Sequence, residues 1–535
     1  MFIFSLVLLL TSPLFGVSVK DFGAVGNGSS DDTSAFEDAM REAARQRTAL
    51  RIPEGRYYIR GNIVIDRAVS FVGEGHEKSI ITARNNEARF LVEASGTSFT
   101  DLGFEQMIEP IGLVSRANYT LSDIRIERCR FEDISTENAH QGVIGLSTSS
   151  KSQRPYLIDN LTIRDSIFRK IHYAAVNIRG NVSRAQIINN QFLDIINYAT
   201  DEGLSGWQLG GYAIRLGESS DDAGMEDIFA GQGRHLIENN VIRNLRKTTV
   251  NGNLKAMLLY GNYITVRNNL FEDIDGGPEG DDVNAMYFRG AFNEISGNVI
   301  RNIRGSDDDG AVSFKGGLDL GNQGHKVFHN YIENIYGMSA IEAASSNIEI
   351  YENEVINAAT RGFYHRAGSG AIVRDNLFVN ADTSLRTEGG EVRISGNWYV
   401  DSIIWLSMRK QFPVDRSGVY IHENLFQRTS GSATRMIRFS NNPDENFVSI
   451  RENRFEFLND AGGGDVIDLV SNGSLRSLEI IGNHIEQKGK ASFTFRTNSS
   501  RETISGNVFS SEGAFTDIDL TKPGAPGIPL EDEPE

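Results

Sequence analysis

The sequence predicts an all-β solenoid, a parallel β-helix with a short capping α-helix near its N-terminus. Three observations predict it: a pair of consecutive stretches that superpose residue for residue, one Asn that recurs in every repeat, and apolar–polar alternation in runs too short for helices.

The superposable stretches begin at Ala256 and Ala285, 29 residues apart, and their Asn269 and Asn298 keep the same spacing. An apolar residue, two variable ones, Asn, one variable and an apolar residue recur at Asn190, Asn240, Asn269, Asn298, Asn330, Asn353, Asn376, Asn397, Asn424, Asn453, Asn483 and Asn507. After Asn240 the intervals run from about 21 to 32 residues, the range of solenoid repeats. Within a repeat, runs such as Ile295-Ser-Gly-Asn298-Val-Ile300 alternate with period two between Gly, Asn and Asp. That is the pattern of short half-buried strands. Without hairpin signals between them, the strands stack in parallel, coil upon coil. The repeated Asn is read as structural. A buried turn leaves backbone groups without ladder partners, and a side-chain amide carries both donors and acceptors to satisfy them. Cys129 and Ser166 occupy the same pattern position in earlier repeats, so Cys129, the single cysteine, is expected to be a buried small residue and forms no intramolecular disulfide.

Taken in order, residues 1–18 have the apolar core of a signal peptide, too short for a comfortable transmembrane span, and no later run reaches the length of one. Val19-Lys-Asp-Phe-Gly-Ala-Val-Gly-Asn-Gly28 precedes Asp31-Asp32-Thr33 and a run to Arg47 with Phe36, Met40, Ala43 and Ala44 on one helical face. Either aspartate suits the N-cap. The open end of a β-helix exposes an apolar cross-section, and this helix is its expected lid. Leu50-Arg-Ile-Pro-Glu-Gly-Arg-Tyr-Tyr-Ile59 then reads as strand, turn, strand. The β-helix domain is expected over 19–520, with Gly- and Asp-rich insertions near 205–234 and 275–282 of the kind that flank binding grooves. Residues 521–535, acidic and Pro-rich, read as a disordered tail.

The N-terminal Asp-Phe-Gly-Ala-Val-Gly-Asn-Gly, Asp-Asp-Thr and Ile-Pro-Glu-Gly-Arg-Tyr elements resemble the opening of the pectate-lyase-like superfamily of right-handed single-stranded β-helices. The resemblance covers about the first 75 residues and implies a right-handed coil. Members include polysaccharide lyases, polygalacturonase-type hydrolases, mannuronan epimerases and phage tailspikes, so it implies a fold more than an activity. The epimerase-type Asp-Pro-His is absent. Asp307-Asp308-Asp309-Gly310 resembles the polygalacturonase Asp-Asp element, and Gly324-His325-Lys326 is part of its Gly-His-Gly.

With 39% hydrophobic residues the chain buries a long core, and 54 glycines suit its many turns. The net charge of −18 argues against a nucleic-acid partner, without forbidding a local cationic groove for an anionic ligand.

Counting from the repeated Asn places Leu258, Tyr287, Ser313, Glu342, His365 and Arg386 in one outward column. Two residues on, a second column holds Tyr260, Arg289, Lys315, Ala344, Ala367 and Glu388. Met286, Phe288, Val312, Phe314, Ile341 and Ala343 then point inward, and the outward residues are expected to face solvent. Arg179 and Arg215 extend the face, and the register at Tyr364-His365-Arg366 is open by one residue.

A face mixing Tyr, His, Arg and Lys suits β-elimination from a uronate. That chemistry needs a cation or metal against the carboxylate and a positioned base. The expected roles are neutralisation and binding for Arg289 and Arg386, the base for Lys315 or His365, and proton donation or stacking for Tyr287. Glu342, Arg215, Arg179, Tyr260, Tyr364 and Arg366 are expected to bind substrate, an acidic polysaccharide met by an exported lyase. A glycoside hydrolase would instead pair Glu342 with one of Asp307, Asp308 and Asp309. Those three aspartates also suit Ca2+, a hard cation that takes oxygen ligands. A non-catalytic glycan-binding β-helix is the third reading, and the oligomeric state stays open.

Overall fold

The computed structural model describes residues 16–84, 88–114, 119–135, 142–146, 157–197, 211–217, 232–247, 253–277, 283–306, 310–315, 322–408, 418–430, 435–441, 447–458, 464–469, 477–487, 493–496 and 502–511. Most of the expected leader, the acidic tail and Asp307 to Asp309 lie outside them.

Period-two strands with no hairpin turns have one way to bury an apolar face, which is to coil, and every recorded strand pairing is parallel. One coil runs through Leu254–Tyr260 in sheet C, Thr265–Arg267 in sheet A and Leu270–Asp275 in sheet B. The next coil begins with Val283–Arg289 laid beside Leu254–Tyr260, a right-handed parallel β-helix. A small fourth sheet, Thr120–Ser122, Leu157–Asp159 and Asn181–Ser183, lies between C and A in three early coils.

Inward side chains of successive coils stack on their counterparts. Phe104, Phe131, Phe168 and Phe192 form a column with ring centroids 4.9, 4.9 and 4.8 Å apart, and Phe378, Tyr399, Phe426 and Phe455 form another. Each such ring contributes about 2–3 kcal/mol by burial.

The turn from sheet A to sheet B is two residues long, as at Asn268-Asn269, and its first residue is left-handed (φ 56° at Asn268). The second is the repeated Asn, and its structural role holds. The backbone N–H and Nδ2 of Asn269 both donate to Oδ1 of Asn298, at 3.0 Å each. Nδ2 also donates to Ile237 O and Arg267 O. The same contacts recur from Asn190 to Asn507. Cys129 and Ser166 begin the column: Cys129 N donates to Ser166 Oγ at 3.0 Å, and Ser166 N to Asn190 Oδ1 at 3.0 Å.

Helix Thr33–Gln46 closes the N-terminal end, with Ala35, Phe36, Ala39, Met40 and Ala43 buried and Phe36 edge-on to Tyr57 and Phe90. Its cap differs from simple expectation. Asp31 Oδ1 accepts from Thr33 N, while Asp32 turns back to accept from the Val25 and Gly26 amides at 2.6 and 3.2 Å, pinning the preceding loop.

Candidate functional site on the outer face of sheet C

The connections entering and leaving sheet C are the long ones, as between Lys247 and Leu254, Asp275 and Val283, or Phe314 and Lys326. In chain order, 205–234 contains the sheet C strand Gly211–Leu216, and 275–282 leads into the sheet C strand Val283–Arg289.

Pairing supports the first column through five coils: Arg215, Leu258, Tyr287, Ser313 and Glu342 are successive partners. Tyr260 pairs with Arg289, and Ala344 with Ala367. All six expected inward residues are fully buried in the core. The outward residues, however, are not solvated. Tyr287 is 7% exposed, Arg215 6% and Glu342 1%, and Ala174, Tyr212, Leu258, Tyr260 and Tyr287 form an apolar cluster separate from the core.

His365 requires correction. It pairs with Ala343 and Leu385, in the inward column, and Tyr364 takes the outward place between Glu342 and Ser384. Its ring is fully buried, with Nε2 2.8 Å from Ser345 O, and burial lowers its pKa. An irregularity between Ala343 and Ala344 admits one extra residue at Arg366, so the offset found before Glu342 fails just after it. Arg386 pairs with Ser407 and stands two residues beyond the outward Ser384. His325 is likewise internal. It stacks on Phe314 with centroids 4.4 Å apart, and its Nδ1 accepts from Asn293 N, which accounts for the Gly-His-Lys without catalysis.

The face assembles two polar centres. In the first, Arg289 Nε donates to Tyr287 Oη at 3.3 Å, and its guanidinium lies 5.9 Å from the Tyr260 and Tyr287 ring centroids. Lys255 Nζ sits 4.7 Å over the Tyr287 ring and donates to Asn284 Oδ1 at 3.0 Å. Asn284 in turn donates to Ser313 Oγ at 3.1 Å. Tyr287 is thus held between two cations. Burial pushes the Tyr260 hydroxyl up to about 12 against the pull of Arg215 and Arg289, so it stays protonated. In the second centre, Glu342 lies between Lys315 Nζ at 3.6 Å and Arg366 Nη1 at 3.3 Å. Beyond it the Tyr364 ring carries Arg361 at 4.2 Å and Arg386 at 5.4 Å from its centroid.

Sequence counting missed Lys255 and Asn284. They stand three residues before Leu258 and Tyr287, a spacing that strict alternation sends to the opposite face. Ala256 and Met257 both enter the core, as do Ala285 and Met286, so each strand breaks alternation once. The available signal was the repeat itself, which places Lys255 opposite Asn284.

Arg179 is half-buried in the coil before Arg215. The proposed calcium ligands Asp307, Asp308 and Asp309 fall outside the described residues. Among the described residues no group of three or more His, Cys, Asp and Glu is placed to hold a metal ion.

With this geometry in view, residues 16–282 match the family model described as "Rhamnogalacturonase A/epimerase, pectate lyase-like". The chain belongs to the pectate-lyase-like superfamily. Among curated proteins, this superfamily member is 47% identical to a polygalacturonase of Persea americana over 49 residues, and 37% identical to a pre-neck appendage protein of Bacillus phage B103 over 68 residues. These matches cover 9% and 13% of the chain and span only 10% and 7% of the relatives. Among solved structures, a mannuronic acid specific polysaccharide family 6 lyase from human gut microbiota aligns over 77% of this chain and 90% of its own, at 13% identity and a TM-score of 0.43. No helix among the described residues is long and apolar enough to cross a membrane.

Proposed function

We propose that this pectate-lyase-like protein cleaves an acidic, uronate-containing polysaccharide by β-elimination on the outer face of sheet C. One observation carries the reading: in a chain of net charge −18, this face gathers Arg215, Lys255, Arg289, Lys315, Arg366 and Arg386 around tyrosines. Such a strip concentrates a polyanion and leaves pyranose rings aromatic surfaces to lie on.

In the reaction, a cation against the uronate carboxylate stabilises negative charge developing at C5. A base takes the C5 proton, and the bond from C4 to the glycosidic oxygen breaks with protonation of that oxygen. In this assignment Arg289 takes the first task, and Tyr287, the acceptor of its Nε–H, takes part in proton transfer. Lys315, 3.6 Å from the buried Glu342 carboxylate, is assigned to hold substrate or move a proton. His365, inside the coil, has no part in this assignment. Arg386 and Tyr364 bind a flanking sugar.

The hydrolase reading weakens on the same face. Glu342 is buried and engaged by Lys315 and Arg366, and is not presented to a glycosidic oxygen. A polymeric substrate also fits a protein acting outside the cell, as the apolar leader leads one to expect.

Incubation with alginate, pectate and glycosaminoglycans tests the reading. A lyase generates the ultraviolet absorbance of unsaturated uronate. New reducing ends without that absorbance identify a hydrolase, and binding with neither identifies a binding protein.

A further inference from the structure

At the corner between sheets C and A, four successive coils place Arg184, Arg234, Tyr263 and Phe292 at one structural position. The backbone amide of each donates to the next coil, to Gly233, Asn262, Ala291 and Gln323 oxygens at 2.9, 2.8, 3.0 and 2.9 Å. Each residue is left-handed, with φ between 53° and 57°. Later coils fill this position with Gly324, Asn347 and Gly370, residues that accept such a backbone easily. A β-carbon-bearing aromatic does so at a cost, and two in a row need a compensating role.

Packing does not supply that role. Tyr263 is 56% exposed and Phe292 42%, and their rings stack on each other, 5.3 Å apart and 13° from parallel. Gly324 leaves Phe292 room to lie, since a β-carbon there would meet its ring at 2.5 Å. Beside Tyr263 opens a cleft lined by Asp159, Arg184, Gln232, Arg234 and Asn262. Arg184 is engaged by Asp159, with Nε at 2.9 Å, while the exposed guanidinium of Arg234 has no recorded ion-pair partner among the described residues.

We propose that this corner is a second, non-catalytic glycan site: the exposed surface of the Tyr263–Phe292 stack takes the apolar face of a pyranose unit, and Arg234 takes a carboxylate of the same chain. The stacked pair, half-exposed beside amide side chains, is too small and too polar-rimmed for a stable protein interface. The site rests on the acidic-glycan reading for its ligand class but not on β-elimination. It adds affinity for long chains by holding a second stretch of polymer while sheet C holds the first.

Native electrophoresis in gels containing pectate, alginate or hyaluronan tests it without turnover. In the gel that slows the wild type most, Tyr263→Asn/Phe292→Asn is expected to lose at least half of the retardation. Arg234→Gln is expected to lose a smaller share. Asn suits a left-handed backbone, so the double variant's melting temperature should hold or rise. Its kcat on short oligosaccharides should match the wild type, while KM for polymer rises several-fold. Unchanged retardation in a folded double variant overturns the proposal, and so does a wild type that no acidic polymer slows. Lost retardation in a protein that shows no unsaturated product keeps the corner site and removes the lyase reading. Unsaturated product with unchanged retardation does the reverse.

Discussion

The corner between sheets A and B and the outer face of sheet C obey opposite rules. At the corner every turn from Asp101-Leu102 onward has two residues, and from Asn190 to Asn507 one side chain repeats coil after coil, each Asn satisfying its neighbour. On sheet C the connections vary in length, alternation breaks at Ala256 and Ala285, and an extra residue enters at Arg366. The corner fixes the coil, and a fixed coil lets the opposite face vary its chemistry. The two regions should therefore fail differently: stability at the corner, turnover on the face.

The largest effect should come from breaking the corner. Asn298→Ala removes the acceptor of the Asn269 N–H and the donor to Val266 O, both buried, while Asn269 Nδ2 keeps Ile237 O and Arg267 O. At about 1–3 kcal/mol for each unsatisfied group, the expected loss is about 4 kcal/mol. Chemical unfolding should show it, while turnover per folded molecule stays at the wild-type level. An equal loss of turnover would show that the two regions are not separable.

Next comes acid. Burial takes His235 and His325 from 6.5 down to about 3, so both stay neutral in the folded chain. Below pH 6.5 the unfolded chain binds protons that the folded one cannot, so stability is full above 6.5 and falls as pH drops toward 3. By pH 4 each histidine should cost about 3 kcal/mol. His325→Asn keeps an acceptor for Asn293 N and mimics Asn293, whose Oδ1 accepts from Ile264 N in the previous coil. Melting temperatures of this variant should fall less between pH 7 and 4 than those of the wild type. A parallel fall would place the acid sensitivity elsewhere.

On the face, Arg289→Ala should lower kcat/KM about 100-fold, the usual cost of one donor to developing negative charge, with melting unchanged. His365→Gln, altering an internal ring, should leave the pH dependence of turnover as it is. A shifted profile would return His365 to the mechanism.

The contrast also explains what the sequence made legible. The corner repeats a single residue in a turn of constant length, so periodicity alone reveals it, including the substitutes Cys129 and Ser166. The outward column from Leu258 to Glu342 was legible because the strands holding it keep one offset from the corner. It failed at His365 because the extra residue at Arg366 lies between the column and the next Asn, so an ungapped count overshoots by one. Ala344 and Ala367, past the irregularity, pair as counted. Lys255 was hidden by the break in alternation at Ala256, which no count of twos detects.

The smallest effect sharpens the comparison from the corner's weak end. Cys129 Sγ approaches Glu127 O at 3.4 Å and Phe99 O at 3.6 Å, the carbonyls two residues back and one coil earlier that Asn Nδ2 contacts elsewhere. A thiol donates weakly, so this coil has the corner's geometry without its full hydrogen bonding. Cys129→Asn should supply the missing amide in a turn shape that later coils already fill with Asn. The expected gain is about 1 kcal/mol, the net worth of one added buried hydrogen bond, read as a rise in the unfolding midpoint. If the variant is instead less stable, the early coils are packed around sulfur, and the column's beginning at Asn190 marks a change in coil shape as well as in residue.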